Sequence, residues 1–456
     1  MAGLYAAFLL SDGGIPVIVV EREFAPGGFL HGRRFHEHRY SPADSLLVTT
    51  DEPLARELES LLPPNSIGKG PPPPAHLRWG GRDVPLPLRL ADLLGGLPPG
   101  LRSTLVLSQL ASRFRPGRGA IPLPSDAAEA LRLRYGSPLF ELILQPDLET
   151  CWGLALSELS ADVADFPLRQ LFRNPWNPRA EDAIWTAQCA PERVAARLVD
   201  AIRSRGGRVF LGAEVEEVSM TPGGAGQIII RDRLIPNKDL RNRTTLGAKR
   251  ILSTIPLRSL LRALRTQVPA QIHAASYLLE TLPFQAHAVL VKRPVCLPHP
   301  TLLFRQRPFL RLTEPRRLHS TTTDTPQTSP SLIIIELPGR AAQTSREAWR
   351  RIEDALEEEG ICAPEEMVES RFLHWPAGHP LLRREVVPAL DQIFGWLDRF
   401  PDLQIAGASG RFACLSPTES MISARAAARM IADRSHRPRP SSRPSWIRHG
   451  GGTPKR

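Results

Sequence analysis

The sequence predicts an α/β fold in which a parallel-sheet domain is interrupted by an inserted α+β unit. Three observations carry this. Short β-branched runs without alternation, such as Val17-Ile18-Val19-Val20, read as parallel strands buried on both faces. Amphipathic stretches, such as Arg193 to Ser204 with Val194, Leu198, Ala201 and Ile202 on one face, alternate with such runs. The chain has 456 residues, 42 % of them hydrophobic, enough for two or three domains with sizeable cores.

The elements follow in order. Leu4 to Leu10 has helical patterning, and Gly13-Gly14 stops it. Val17 to Val20 is the first strand. Pro71 to Pro74 marks a loop, and Leu77 to Arg89 alternates turn signals with short apolar runs. Leu90 to Phe114 reads as mainly helical, Arg115 to Pro124 as a loop, and Asp126 to Leu144 as a helix ended by Pro146. Gly206-Gly207 caps the helix from Arg193. Val209 to Leu211 and Val215 to Val218 are strands. Thr221 to Lys249 is polar and basic, a hairpin with an inserted loop. Ile251 to Ile255 and Leu332 to Leu337 are strands, and Thr313 to Pro330 is a mobile loop. Trp349 to Glu359 is a helix, Leu403 to Ala406 a last short strand, and Ser420 to Ala432 a last helix.

Composition narrows the function classes. The net charge is +11, but Arg434, Arg437, Arg439, Arg443, Arg448, Lys455 and Arg456 supply +7 of it with no acid among them. The remaining body carries +4 (11 − 7), so no specific nucleic-acid partner is expected. The tail, residues 434–456, reads as disordered and permits peripheral contact with an anionic membrane surface. No run reaches the roughly 18 apolar residues of a membrane helix. The apolar opening lacks the basic leader and cleavage site of a signal peptide. The cysteines, Cys151, Cys189, Cys296, Cys362 and Cys414, are odd in number and scattered, which fits a reducing cytoplasm and gives no metal-ligand spacing.

The N-terminal stretch carries the strongest constellation. Gly3 is a small residue where a helix packs on a sheet, and Glu21 ends the next strand 18 residues later (21 − 3). That separation suits a dinucleotide-binding βαβ unit, whose acid accepts hydrogen bonds from the adenosine ribose. A first strand and the two glycines ahead of Gly3 are not in the sequence. Met1 is therefore expected not to be the true start, with an apolar strand and Gly-x-Gly-x encoded upstream. Arg22 follows the acid, and Gly27-Gly28 makes a turn shortly after it.

An acid followed by such a Gly pair resembles the second FAD signature of the amine oxidase and phytoene desaturase superfamily. Phe29 stands where that signature places an arginine, with Arg33 or Arg34 as substitutes. Further stretches resemble its protoporphyrinogen oxidase-like and UDP-galactopyranose mutase-related subgroup. These are Leu77 to Leu88; Tyr135 to Phe140 with Glu149-Thr150-Cys151-Trp152-Gly153-Leu154 and Glu158 to Ala161; Glu192 to Val215; and Pro401 to Gly407 with Ser420, Met421 and Ala426. The likeness spans most of residues 1 to 433. His38-Arg39 survives without the Gly pair that usually precedes it.

The resemblance implies a Rossmann-like, NAD(P)-binding type of domain that holds FAD, apparently missing its first strand, with an α+β substrate domain inserted. Residues 1–90, 187–262 and 385–433 would form the FAD domain, and 91–186 and 263–384 the substrate domain. The cofactor set is Gly3, Glu21, Arg22, Gly27, Gly28, Val215 against the adenine, and Gly407, Ser420 and Met421 at the flavin end. The implied activity is hydride removal from a C–N or C–C bond of a small-molecule substrate, with no catalytic residue assigned. A non-redox mutase and a non-catalytic degenerate relative are the alternatives. His36-Glu37-His38 lacks the i, i+4 spacing of a zinc helix, so no metal is expected. His31, His36, His38, His374, Trp375 and His379 are candidates for lining the site, and Trp152 is either core or substrate-facing.

Overall fold

The computed structural model describes residues 1–41, 47–70, 75–86, 94–95, 100–103, 124–163, 184–220, 226–234, 242–318, 330–339 and 345–433. The basic tail and most of 90–114 lie outside the described residues.

The chain opens with helix α1 (Ala2–Asp12), whose buried residues Leu4, Tyr5, Ala6, Ala7, Phe8 and Leu10 cover nearly its whole circumference. A helix apolar all round belongs in the interior, which is why this stretch has no polar face. Strand β1 (Ile18–Glu21), hairpin β2 (Arg33–Phe35) and β3 (His38–Tyr40), β4 (Val48–Thr49) and helix α2 (Glu52–Leu61) follow. Asp51 caps α2 by accepting from the Leu54 amide at 2.8 Å. Next come β5 (Ile67–Lys69), the hairpin β6 (His76–Trp79) and β7 (Arg82–Pro85), and helix α3 (Ala127–Tyr135).

The helix expected to end before Pro146 does not. Gly136 at φ 80° breaks it early. A helical turn over 137–139 and a wide π turn at Phe140–Leu144 then lead into α4 (Gln145–Trp152). Pro146 lies in the first turn of α4, where it has no amide to place, and the π turn ahead of it absorbs the lost hydrogen bond.

Strand β8 (Trp185–Ala187), helix α5 (Pro191–Ser204), β9 (Arg208–Leu211), and the antiparallel meander β10 (Ala213–Met220), β11 (Gly226–Asp232) and β12 (Arg243–Ala248) follow. Then come β13 (Ile251–Ser253), α6 (Leu257–Leu264) and α7 (Ala270–Ser276). The remaining strands are β14 (Thr281–Val291), β15 (Thr301–Leu303), β16 (Arg311–Thr313), β17 (Ser331–Leu337), β18 (Met367–Pro380) and β19 (Leu403–Ile405). Helix α8 (Arg346–Glu358) precedes β18, α9 (Val386–Leu397) follows it, and α10 (Pro417–Ala432) closes the described chain.

Two parallel pairs, β1–β9 and β13–β19, make the α/β part. They are not bonded to each other; α1, α5 and α10 pack on them. The second part is a seven-stranded sheet in the order β18-β14-β17-β16-β15-β6-β7. The hairpin 76–85, placed by sequence with the first part, pairs with this sheet through β15. Thr313 to Leu318, expected to be mobile, is ordered: β16 runs into a single helical turn, and Glu314 is 0 % exposed. Its carboxylate is engaged by Ser331 Oγ at 3.0 Å and by Arg316 and Arg317, which fixes the segment.

Strand β1 was expected to be buried on both faces, yet Ile18 is 46 % exposed. Among the described residues β1 has a strand on one side only, so half its peptide groups face away from any ladder. Amides of residues 18–21 should therefore exchange with solvent on the order of 100-fold faster than those of 286–290 in β14, which is flanked on both sides. Native-state hydrogen exchange read by mass spectrometry measures this, and equal protection of the two strands would contradict it.

Candidate functional site

The first turn of α1 sits where both parallel pairs end. A side chain on Gly3 would place its Cβ 3.0 Å from Thr254 Oγ1, just past β13. Gly407, just past β19, has φ 76°, and its Cβ would lie 3.0 Å from the Cβ of Ala2. Both glycines thus allow a close approach of backbone to helix that any larger residue would push apart. The α-amino group of Met1 is buried here; burial lowers its pKa and the charge of Glu21 raises it. Residues from the two ends of the chain therefore meet at one helix N-terminus, whose first-turn amides have no intrahelical partner.

Glu21 ends β1, and one carboxylate oxygen accepts the Glu23 amide at 2.9 Å. Its other oxygen has no hydrogen bond among the described residues. Arg22 turns outward and pairs with Glu23 at 3.1 Å, its side chain 62 % exposed. Gly27 and Gly28 have φ of 115° and 61° and begin a short 3-10 turn over Gly28–Leu30. Gly27 packs toward Ala195 on α5, and the Gly28 carbonyl lies 2.8 Å from His31 Nδ1. Val215 is half-buried on β10, where a bulge between Val215 and Glu217 shifts the register against β11; such bulges re-aim the local backbone.

At the other end, Ser416 and Glu419 cap α10 reciprocally. Ser420 Oγ accepts the Ala408 amide at 3.3 Å, and Ser423 Oγ accepts the Gly407 amide at 3.4 Å. The turn after β19 is thus tied directly to α10. Met421 is fully buried in the core with Leu4, Tyr5 and Phe8, so its side chain packs α10 on α1. Thr254 and Ser423 escaped the sequence reading. Their roles depend on approaches between distant segments, for which neither residue type is a signal.

A polar cluster locks the same helices. Arg425 on α10 grips Asp51 through both guanidinium nitrogens, Nη1 at 2.9 Å and Nη2 at 2.5 Å. The fully buried Tyr5 donates to Glu57 on α2. The Arg425 hydrogen bonds hold the Asp51 carboxyl below the usual range, and Asp51 in turn raises the guanidinium. Burial, then Glu57, pushes the Tyr5 phenol up.

Beside the Gly27-Gly28 turn stands an aromatic wall. Phe29 meets Phe284 of β14 edge-on at 5.1 Å and Trp375 of β18 at 5.3 Å. His31 lies 5.4 Å from Trp375, and Arg33 sits over the same ring at 4.3 Å. Phe29 therefore belongs to an apolar contact between the two parts, and of the two substitute arginines it is Arg33 that reaches this wall. His36 instead pairs with Glu369 at 2.7 Å on the exposed side. His38 and His379 are held below the usual imidazole range by burial. Trp152 lies in the core with Leu148 and Leu156.

These features define an α/β protein with an inserted antiparallel sheet. No protein-family model matches the chain, nor does any curated relative. Solved structures do match. A reduced UDP-galactopyranose mutase superposes with a TM-score of 0.73 at 14 % identity, covering 94 % of this chain and 93 % of that one. Cyclohexylamine oxidase from Brevibacterium oxydans IH-35A gives 0.61 at 16 % identity, over 94 % and 96 %. Putrescine oxidase gives 0.61 at 13 % identity, over 94 % and 96 %. The chain shares the fold of these proteins; identity this low establishes the fold alone.

The Asp51–Arg425 pair has a pH signature. Because the folded carboxyl is held low, its contribution is complete above the ordinary value of about 3.9 and is lost as pH falls through the lower folded value. Asp51→Asn keeps a capping oxygen but removes the charge. It should cost about 1.5–3 kcal/mol at pH 7, and the deficit relative to the parent should shrink below pH ~4. Urea unfolding at several pH values measures this. A deficit that does not change with pH would mean the pair is not the cause.

Proposed function

We propose that the chain is a FAD-dependent oxidoreductase of the amine oxidase type, taking hydride from a C–N or C–C bond of a small organic substrate. The observation that carries this reading is the meeting of Gly3, Glu21 and Gly407 around the first turn of α1. The residues fit such a cofactor. Glu21 has a carboxylate oxygen to offer a ribose hydroxyl. The first-turn amides of α1, at the positive end of its dipole, suit a pyrophosphate. By the family resemblance, Val215 would serve the adenine, and the Gly407 turn with Ser420 would serve the flavin end. Bound FAD would supply the hydride acceptor.

The chain's own residues would bind, orient and exclude water. Phe29, Phe284 and Trp375 offer an apolar wall in which a reacting C–H bond is kept dry, and Arg33 over Trp375 places a fixed positive charge at its edge. Fixed charges act more strongly where water is excluded. A reducing, cytoplasmic setting is part of this proposal.

The higher TM-score to the mutase than to the two oxidases supports a second reading, a non-redox flavoenzyme. An oxidase bleaches its flavin on anaerobic mixing with substrate and no added reductant; a mutase requires prior reduction. The absorption spectrum of the purified protein comes first. Flavin bands are expected, and no flavin after incubation with excess FAD would instead favour a non-catalytic relative. Glu21→Ala removes a charge-assisted bond of about 1.5–3 kcal/mol and should weaken FAD binding roughly 10- to 100-fold. An unchanged dissociation constant would remove Glu21 from the site.

A further inference from the structure

A pair of thiols lies in the sheet part of the molecule. Cys296, in the loop after β14, and Cys362, in the loop after α8, are both buried in the core formed by β14, β17 and α8. Neither is in a disulfide. Cys296 Sγ is 3.6 Å from the carbonyl oxygen of Ile361, the residue before Cys362, which places the two cysteines beside each other in one core.

The backbone on each side is pinned. The buried Glu314 carboxylate accepts the amides of Cys296 at 3.4 Å and Leu297 at 3.2 Å. Arg293 donates to the Ile361 carbonyl at 3.3 Å while its other nitrogens grip Glu366. One carbonyl therefore gathers both Cys296 and Arg293 immediately beside Cys362. Cys151 in α4, Cys189 ahead of α5 and Cys414 ahead of α10 stand on separate elements, and burial pushes their thiols up, to about 12 for Cys151 and Cys414.

We propose that Cys296 and Cys362 form a redox-active dithiol that a small hydroperoxide oxidises to an intramolecular disulfide. Cys362 is the attacking sulfur. The neighbouring Cys296 thiol lowers its pKa against the opposing effects of burial and Glu366, with Arg293 adding a smaller lowering, while Cys296 is raised by Cys362 and by burial. The Cys362 thiolate attacks the peroxide, the O–O bond breaks, and the departing oxygen takes a proton to leave as alcohol or water. The Cys362 sulfenic acid is then attacked by Cys296, which loses its proton; the S–S bond forms and water leaves. In sum, two thiols and one hydroperoxide give one disulfide, one alcohol or water, and one further water. Two electrons pass from sulfur to the peroxide.

The test treats the full-length folded protein with hydrogen peroxide, quenches, then alkylates under denaturing conditions and maps peptides without reductant. A 296–362 cross-linked peptide should appear, with two of the five cysteines lost to alkylation and recovered by dithiothreitol. Cys151, Cys189 and Cys414 should stay alkylatable. Cys296→Ser should stop at a Cys362 sulfenic acid that dimedone traps. Cys362→Ser should leave Cys296 as a thiol. Full alkylation of both cysteines after peroxide would overturn the proposal, as would loss spread evenly over all five. So would a cross-link formed only once the protein is unfolded, a result the parent protein reports even where a variant folds poorly.

Discussion

The close approach of α1 to the ends of β13 and β19 is the constraint on which the rest of the structure depends. Nothing larger than hydrogen fits comfortably on Gly3 against Thr254, or on Gly407 against Ala2. That approach puts a helix N-terminus, an acid and the Gly407 turn within one small volume. It also obliges α1 to be apolar on nearly every side, because strands, α5 and α10 surround it. The tie from Ser420 and Ser423 to the backbone at 407–408 and the Arg425–Asp51 clamp serve the same approach from the outer side.

The local parts of this arrangement were legible in the sequence. Glu21 follows a β-branched run, and an acid at that offset from a small residue has a physical reason to be there. The turn residues Gly27, Gly28 and Gly407 lie at positive φ, as turns that bring backbone close to another group require. The starts of α3, α5, α8 and α10 and the β10–β12 meander could also be read, since their periodicity and capping are encoded within a few residues; α2, α6, α7 and α9 were not read.

Apart from β17, read as Leu332 to Leu337, most of the seven-stranded sheet was not legible, and the cause is particular. Strand β18 carries Pro376 and Gly378, and β14 begins with Pro283 beside a register shift, so the ordinary strand signals are broken in both. Packing repairs what local pattern spoils: Gly378 leaves room for the backbone of Phe284, which a Cβ would meet at 2.7 Å. The polar face of β18 hid its role further, because its exposed residues outnumber the buried ones. Likewise Phe29 looked like the loss of an arginine. Its aromatic contacts across to β14 and β18 become visible only once the two parts are joined. The burial of Glu314 depends on partners at 296–297 and 331 and turned an apparently loose loop into a fixed corner.

The clamp between α1, α2 and α10 also bears on how the chain is made. Helix α1 leaves the ribosome some 400 residues ahead of Met421 and Arg425. At about 5–20 residues per second, the apolar surface that α10 covers waits roughly 20–80 s for its partner. During that interval the face of α1 that α10 will cover is a sticky surface, and a client for a holding chaperone.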